Sequence, residues 1–160
     1  MSRQGEQDIR WLSGYRLLAA ILVLLVIIAT LVGGYHRHRD QALATSLALL
    51  GEQFAERMQR LHGRWLEERR PAQFHAQGQV WQFSERGWPL GLAPLMTPSS
   101  DCQQLWQSVM GSSSLGNLPL QFRGMAGGCL IGAESHWLHY RFADGRVSPW
   151  RAPPGGAERG

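Results

Sequence analysis

Catalysis and metal binding need nucleophiles, bases and ligands at workable spacings, and this chain supplies few. His36 and His38 are two residues apart, about 200° around a helix, so they cannot share a metal ion. His136 and His139 are three apart in an extended segment and point to opposite faces. With no ligand set of the usual spacing, neither a metal nor a cofactor is expected. All 16 basic residues are arginine, which excludes a phosphate-loop lysine, a Schiff base and a lysine general base. The run GMAGG, residues 124–128, lacks the lysine ending and the strand-to-helix setting of a phosphate loop and reads as a turn. No GxSxG is present, and Ser112–Ser114 read as a loop. Between residues 72 and 150 the carboxylates are Glu85, Asp101, Glu134 and Asp144, mostly at turn and cap positions. Without a nucleophile, base and orienting group, the chain is not expected to be an enzyme.

The elements that could position other kinds of function are clearer. Between Arg16 and His36 lie 19 residues without a charge, LLAAILVLLVIIATLVGGY. As a helix they extend roughly 28 Å, close to the thickness of a bilayer's hydrocarbon core. Arg16, Arg37 and Arg39 can snorkel to headgroups, and Tyr15 and Tyr35 stand at interfacial positions. Residues 17–35 are therefore expected to be a transmembrane helix following a segment of residues 1–16. The competing reading is a cleavable signal peptide, since Val32, Gly33 and Gly34 resemble a processing site, although the apolar run is long for one. Arginine counts on the two flanks do not settle orientation. Cys102 and Cys129 are an even pair, expected as a disulfide, which places the bulk of the chain in an oxidising compartment and the amino terminus in the cytoplasm.

Beyond the apolar run, residues 36–70 read as an amphipathic helix. Leu43, Leu47, Leu50, Phe54, Met58, Leu61 and Trp65 recur at a mean spacing of 3.67 residues, a stripe along one side of a nearly straight helix. Glu52, Glu56, Arg57, Arg60 and Arg64 occupy the other side, and Pro71 stops the helix. The stripe can pack on the chain's own carboxy-terminal part, dock on a partner, or do each along different stretches. Leu43, Leu47, Leu50 and Phe54, nearest the apolar run, are the candidate interface.

Residues 71–150 are expected to fold as a small α+β head with an antiparallel sheet packed on the long helix. Gln79–Phe83 reads as a strand. A helix starts at Ser100, with Gln103 completing a capping box, and ends at Gly111. Leu138, Tyr140 and Phe142 alternate with His139 and Arg141, and Asp144-Gly145 suggests a type I′ hairpin turn. A Cys102–Cys129 bond closes a loop of 28 residues; the chain-entropy argument gives about 3.5 kcal/mol, comparable with the core surplus of so small a unit, about 3–5 kcal/mol. Trp65, Trp81, Trp106 and Trp137 read as core, whereas Trp88 and Trp150, both beside proline, are candidates for an exposed ligand platform. Residues 151–160, rich in Pro, Gly and Arg, read as a disordered tail. The net charge of +4 comes from scattered arginines, without the interleaved aromatics of a nucleic-acid surface.

This layout resembles that of type IV pilin-like proteins, and SGYRLLAAILVLL, with Gly14 before Tyr15, looks like a degenerate prepilin cleavage region. The glutamate that pilins carry five residues into the mature chain is here Ala19, and Arg16 stands near the start. The runs LHGRWLEERRP (61–71), VWQFSERGWPLG (80–91) and DCQQLW (101–106) resemble the MshF family of mannose-sensitive haemagglutinin (MSHA) pilus biogenesis proteins. That resemblance implies a non-catalytic accessory protein of the bacterial inner membrane, with a periplasmic head, working by contact with other pilus-assembly or pilin proteins. The alternative is a membrane-anchored periplasmic binding module for glycan or peptide, or a component of another envelope machine.

Overall fold

A computed structural model describes the backbone of residues 3–151 and the side chains of residues 14–151; the expected tail lies almost wholly outside the described residues. The element order is α1 (Arg3–Glu67), β1 (Gln73–Ala76), β2 (Gln79–Phe83), β3 (Pro89–Leu92), α2 (Pro98–Met110), β4 (Ser114–Leu115), β5 (Leu118–Pro119), β6 (Gln121–Met125), β7 (Gly128–Ala133), β8 (His136–Arg141) and β9 (Val147–Trp150). The class is α+β, as expected. The chain divides into two compact units, one ending at Ala42 and the other beginning at Leu43. The head therefore starts well before residue 71, because the second part of α1 is one of its core elements.

Within the first unit, residues from Gly14 onward are exposed with the sole exception of half-buried Gly34. This stretch is long and apolar enough to cross a membrane. Its one aliphatic hydroxyl, on Thr30, donates back to the carbonyl of Ile27 at 2.8 Å, so it needs no outside partner, as a hydrocarbon environment demands.

The second unit holds three antiparallel sheets ordered β1-β2-β3, β4-β5 and β6-β7-β8-β9. The α1 stripe supplies Leu43, Leu47, Phe54, Met58 and Trp65 to a continuous core with Trp81, Phe83, Leu105, Trp106, Ile131, Leu138 and Tyr140. Phe54 is the aromatic hinge pin of that core: its ring stacks on Trp106 at 4.8 Å and meets Tyr140 edge-on at 5.4 Å. Gly51 interrupts the helical pattern for a steric reason, since a Cβ there would lie 3.0 Å from a methyl carbon of Leu138. The small residue brings helix and sheet together at a cost of roughly 1 kcal/mol in helix propensity.

Several local expectations are corrected. The N-cap of α2 is Thr97 rather than Ser100; Pro98 takes the first helical turn and Ser100 is the far member of the capping box. Gly111 closes that helix in the left-handed conformation, as expected. Asp144-Gly145 is not a two-residue turn: Arg141 N donates to Arg146 O and Gly145 N to Arg141 O, which makes residues 142–145 a four-residue loop. A two-residue turn with both φ angles positive joins β1 to β2 instead, at Gln77 (φ 56°) and Gly78 (φ 73°). The end of α1 is wound by Arg69 and Arg70, both at positive φ. Arg70 N donates to Trp65 O, and Trp65 Nε1 donates to Pro71 O at 2.8 Å.

Candidate functional site

Cys102 on α2 and Cys129 on β7 form a disulfide, with Cα atoms 5.7 Å apart. Both half-cystines are buried, so the bond is a structural staple joining the short helix to the four-stranded sheet. A second tie joins that sheet to β3: the buried Tyr140 hydroxyl donates to Pro89 O at 3.0 Å. Burial raises the Tyr140 pKa far above its ordinary value, so the phenol stays a neutral donor.

The four residues expected to form an open interface are placed otherwise. Leu43, Leu47 and Phe54 are 7%, 2% and 1% exposed, and Leu50 packs partly buried against the same cluster. They are the stripe residues nearest the apolar run, yet the β8–β9 hairpin reaches them: Ala44, Leu47, Leu138 and Trp150 border one groove. The stripe keeps one register from Leu43 to Trp65 and meets successive parts of the head, Tyr140 and Trp106 at Phe54 and Phe83 at Trp65. A charge at Leu47 would break the core before it tested a partner.

The aromatic platform is likewise reassigned. Trp65, Trp81 and Trp106 are core residues, as expected, whereas Trp137 is half-buried and lies 4.7 Å from the guanidinium carbon of Arg123. Trp88 is half-buried rather than open, stacked on His62 at 4.2 Å and 8°. His62 in turn stacks on Trp65 and reaches Gly87 O through Nδ1 at 2.8 Å. The sequence pattern gave no hint of this aromatic–imidazole sandwich, since its members come from α1 and the β2–β3 turn. Trp150 is half-buried beside Pro149 at the edge of the four-stranded sheet.

Two of the dispersed carboxylates, Asp101 and Asp144, have structural partners. Asp101 Oδ1 accepts from Met96 N at 2.8 Å. Asp144 pairs with Arg141 and accepts from Arg146 N. Its slight burial raises the carboxyl pKa, but these hydrogen bonds and the two guanidiniums outweigh it and hold the pKa below the usual value. Glu134 and Asp144 lie at opposite ends of β8. Among the described residues no three His, Cys, Asp or Glu side chains come together as a metal site.

One buried polar atom stands out. Trp81 Nε1 has no hydrogen-bond partner among the described residues, a state that costs about 1–3 kcal/mol when uncompensated. Trp81 lines a cleft between α1, the β1–β2 turn and the end of α2.

The class defined by these observations is an α+β protein with a disulfide-stapled head, preceded by an apolar helical stretch long enough to cross a membrane. Comparison with protein-family models, curated proteins and solved structures finds no match.

Proposed function

We propose that the chain is a non-catalytic accessory protein of type IV pilus assembly, of the MSHA kind, working through contacts with other inner-membrane or pilin proteins. Residues 17–35 hold it in the inner membrane, with the amino terminus cytoplasmic and the head periplasmic. The observation that carries this reading is α1 itself: one helix, Arg3–Glu67, supplies both an exposed apolar span and the central core element of a stapled α+β head. The pilin-like sequence features around Gly14 and the three short runs in residues 61–106 support the choice of machine. The disulfide supports an oxidising compartment for the head. Because the stripe is occupied by the head, the span is the apolar surface left for contact inside the membrane, where small and apolar faces associate by close packing.

The test is genetic. Deleting the gene should remove surface pili, and the intact chain should restore them. A version with residues 17–35 replaced by an unrelated apolar helix of equal length should be anchored and disulfide-bonded yet fail to restore piliation. Normal piliation in the deletion strain would overturn the assembly reading.

A further inference from the structure

The cleft that Trp81 lines has a volume of about 540 Å³. Its exposed lining carries the guanidiniums of Arg57, Arg60 and Arg64 against the one carboxylate of Glu67. Its more buried lining is Trp81 with Leu61 and Val109. It therefore combines positive charge with an apolar wall.

The polar groups are unequally occupied. Arg57 donates to the carbonyl of Val109, which orients its guanidinium without cancelling the charge. Arg60 pairs with Glu56 at 2.6 Å on the exposed helix face. The Arg64 carbonyl accepts from Glu68 N, while its guanidinium has no hydrogen-bond partner among the described residues. Trp81, 2% exposed, has the one unpartnered buried side-chain donor found there. That N–H is enclosed by the protein, so the cleft offers an incoming acceptor its guanidiniums and the apolar faces beside them.

We infer that this cleft binds the carboxylate of an acidic peptide segment from another protein. The Arg64 guanidinium takes the carboxylate through its planar fork, and Arg57 adds charge. Leu61 and Val109 receive the apolar side chain next to the acid, which a bare inorganic anion would leave unfilled. The inference rests on the proposed assembly role only for the choice of a protein as the source of the carboxylate.

The full chain in detergent micelles is titrated into fluorescein-labelled Ac-Leu-Glu-Leu-Glu-Leu-NH2 and its glutamine counterpart, with anisotropy as the readout. The glutamate peptide should bind at least about tenfold more tightly, and Arg64→Gln should weaken it about tenfold, the scale of one lost charge-assisted hydrogen bond. Arg64 is exposed, so its replacement leaves the fold intact. Arg146→Gln, on the β8–β9 loop, should bind as the parent does. Equal binding of the two peptides, an unchanged Arg64→Gln variant, or displacement by inorganic phosphate at concentrations matching the peptide would overturn the assignment. Failure of the titration removes the cleft alone, since the assembly role is tested separately by the deletion phenotype.

Discussion

Two stretches of the same helix obey different solvents. Residues 17–35 are apolar all the way round, and their described side chains lie open, Leu22 at 55% and Val26 at 61%. Residues 43–65 are apolar on one side only, and that side is sealed by the head. Helix propensity differs little between leucine-rich segments, so it cannot explain the contrast. A segment with no polar side must find an apolar solvent, whereas a striped one must find a folded partner and finds it here in its own chain.

Truncation should separate the two stretches most sharply. Phe54→Ala removes the ring that Trp106 and Tyr140 contact and should destabilise the head by about 3–5 kcal/mol. Leu22→Ala deletes a comparable side chain from the span and should leave denaturant unfolding of the head within about 0.5 kcal/mol of the parent. Similar losses in the two variants would mean that the span also contributes to the head's stability.

The staple gives the next largest effect. Cys102→Ser should lower head stability by about 3.5 kcal/mol by the loop-closure argument while membrane fractionation is unchanged, because the span lies outside the bridged loop. Unchanged melting of the variant would contradict a stabilising role for the bond.

How far sequence alone reached follows from which signals are local. The stripe from Leu43 to Trp65 and the Gly111 cap were legible because each depends on one helix and its own periodicity or φ. The Cys102–Cys129 bond was legible because two cysteines allow one intramolecular pairing. What covers the stripe was not legible, since Leu138 and Tyr140 reach Phe54 and Gly51 across more than eighty residues of sequence. β1 and β3 were missed because QFHA and PLGL carry few β-branched residues, and their pairing with β2 is set by the register of Trp81 against Phe74 and Leu92. The Asp-Gly signal misled because Asp144 spends its carboxylate on Arg141 and Arg146 N, which sets up a longer loop. The Trp81 cleft needs three elements at once, and no spacing in the sequence announces it.

Two glycines refine the account of what the head tolerates. Gly78 (φ 73°) has open space where a Cβ would go, whereas at Gly145 (φ 67°) it would lie 2.1 Å from Trp88 Cε3. Gly78→Ala should cost about 1 kcal/mol for the left-handed backbone alone. Gly145→Ala should cost roughly 1–3 kcal/mol, since the stacked Trp88 must also move. Equal unfolding free energies for the two variants would show that the Trp88–His62 stack yields freely.

The smallest expected effect concerns pH, and it belongs to the head because residues 17–35 contain no acidic, basic or histidine side chain. His139, on β8, is held below its ordinary pKa of 6.5, first by burial and then by the charge of Arg141, with Asp144 opposing. The folded state therefore takes up this proton less readily than the unfolded chain. Its contribution to stability is intact above about pH 6.5 and declines as the pH falls through that value toward the lower folded pKa. Replacing His139 with Gln should flatten this part of the stability profile, and the parent-minus-variant difference in unfolding free energy between about pH 7.5 and pH 5 isolates it from the other histidines. If parent and variant keep the same slope over that interval, His139 is not titrating against its burial, and the β8 face is more open to water than its packing implies.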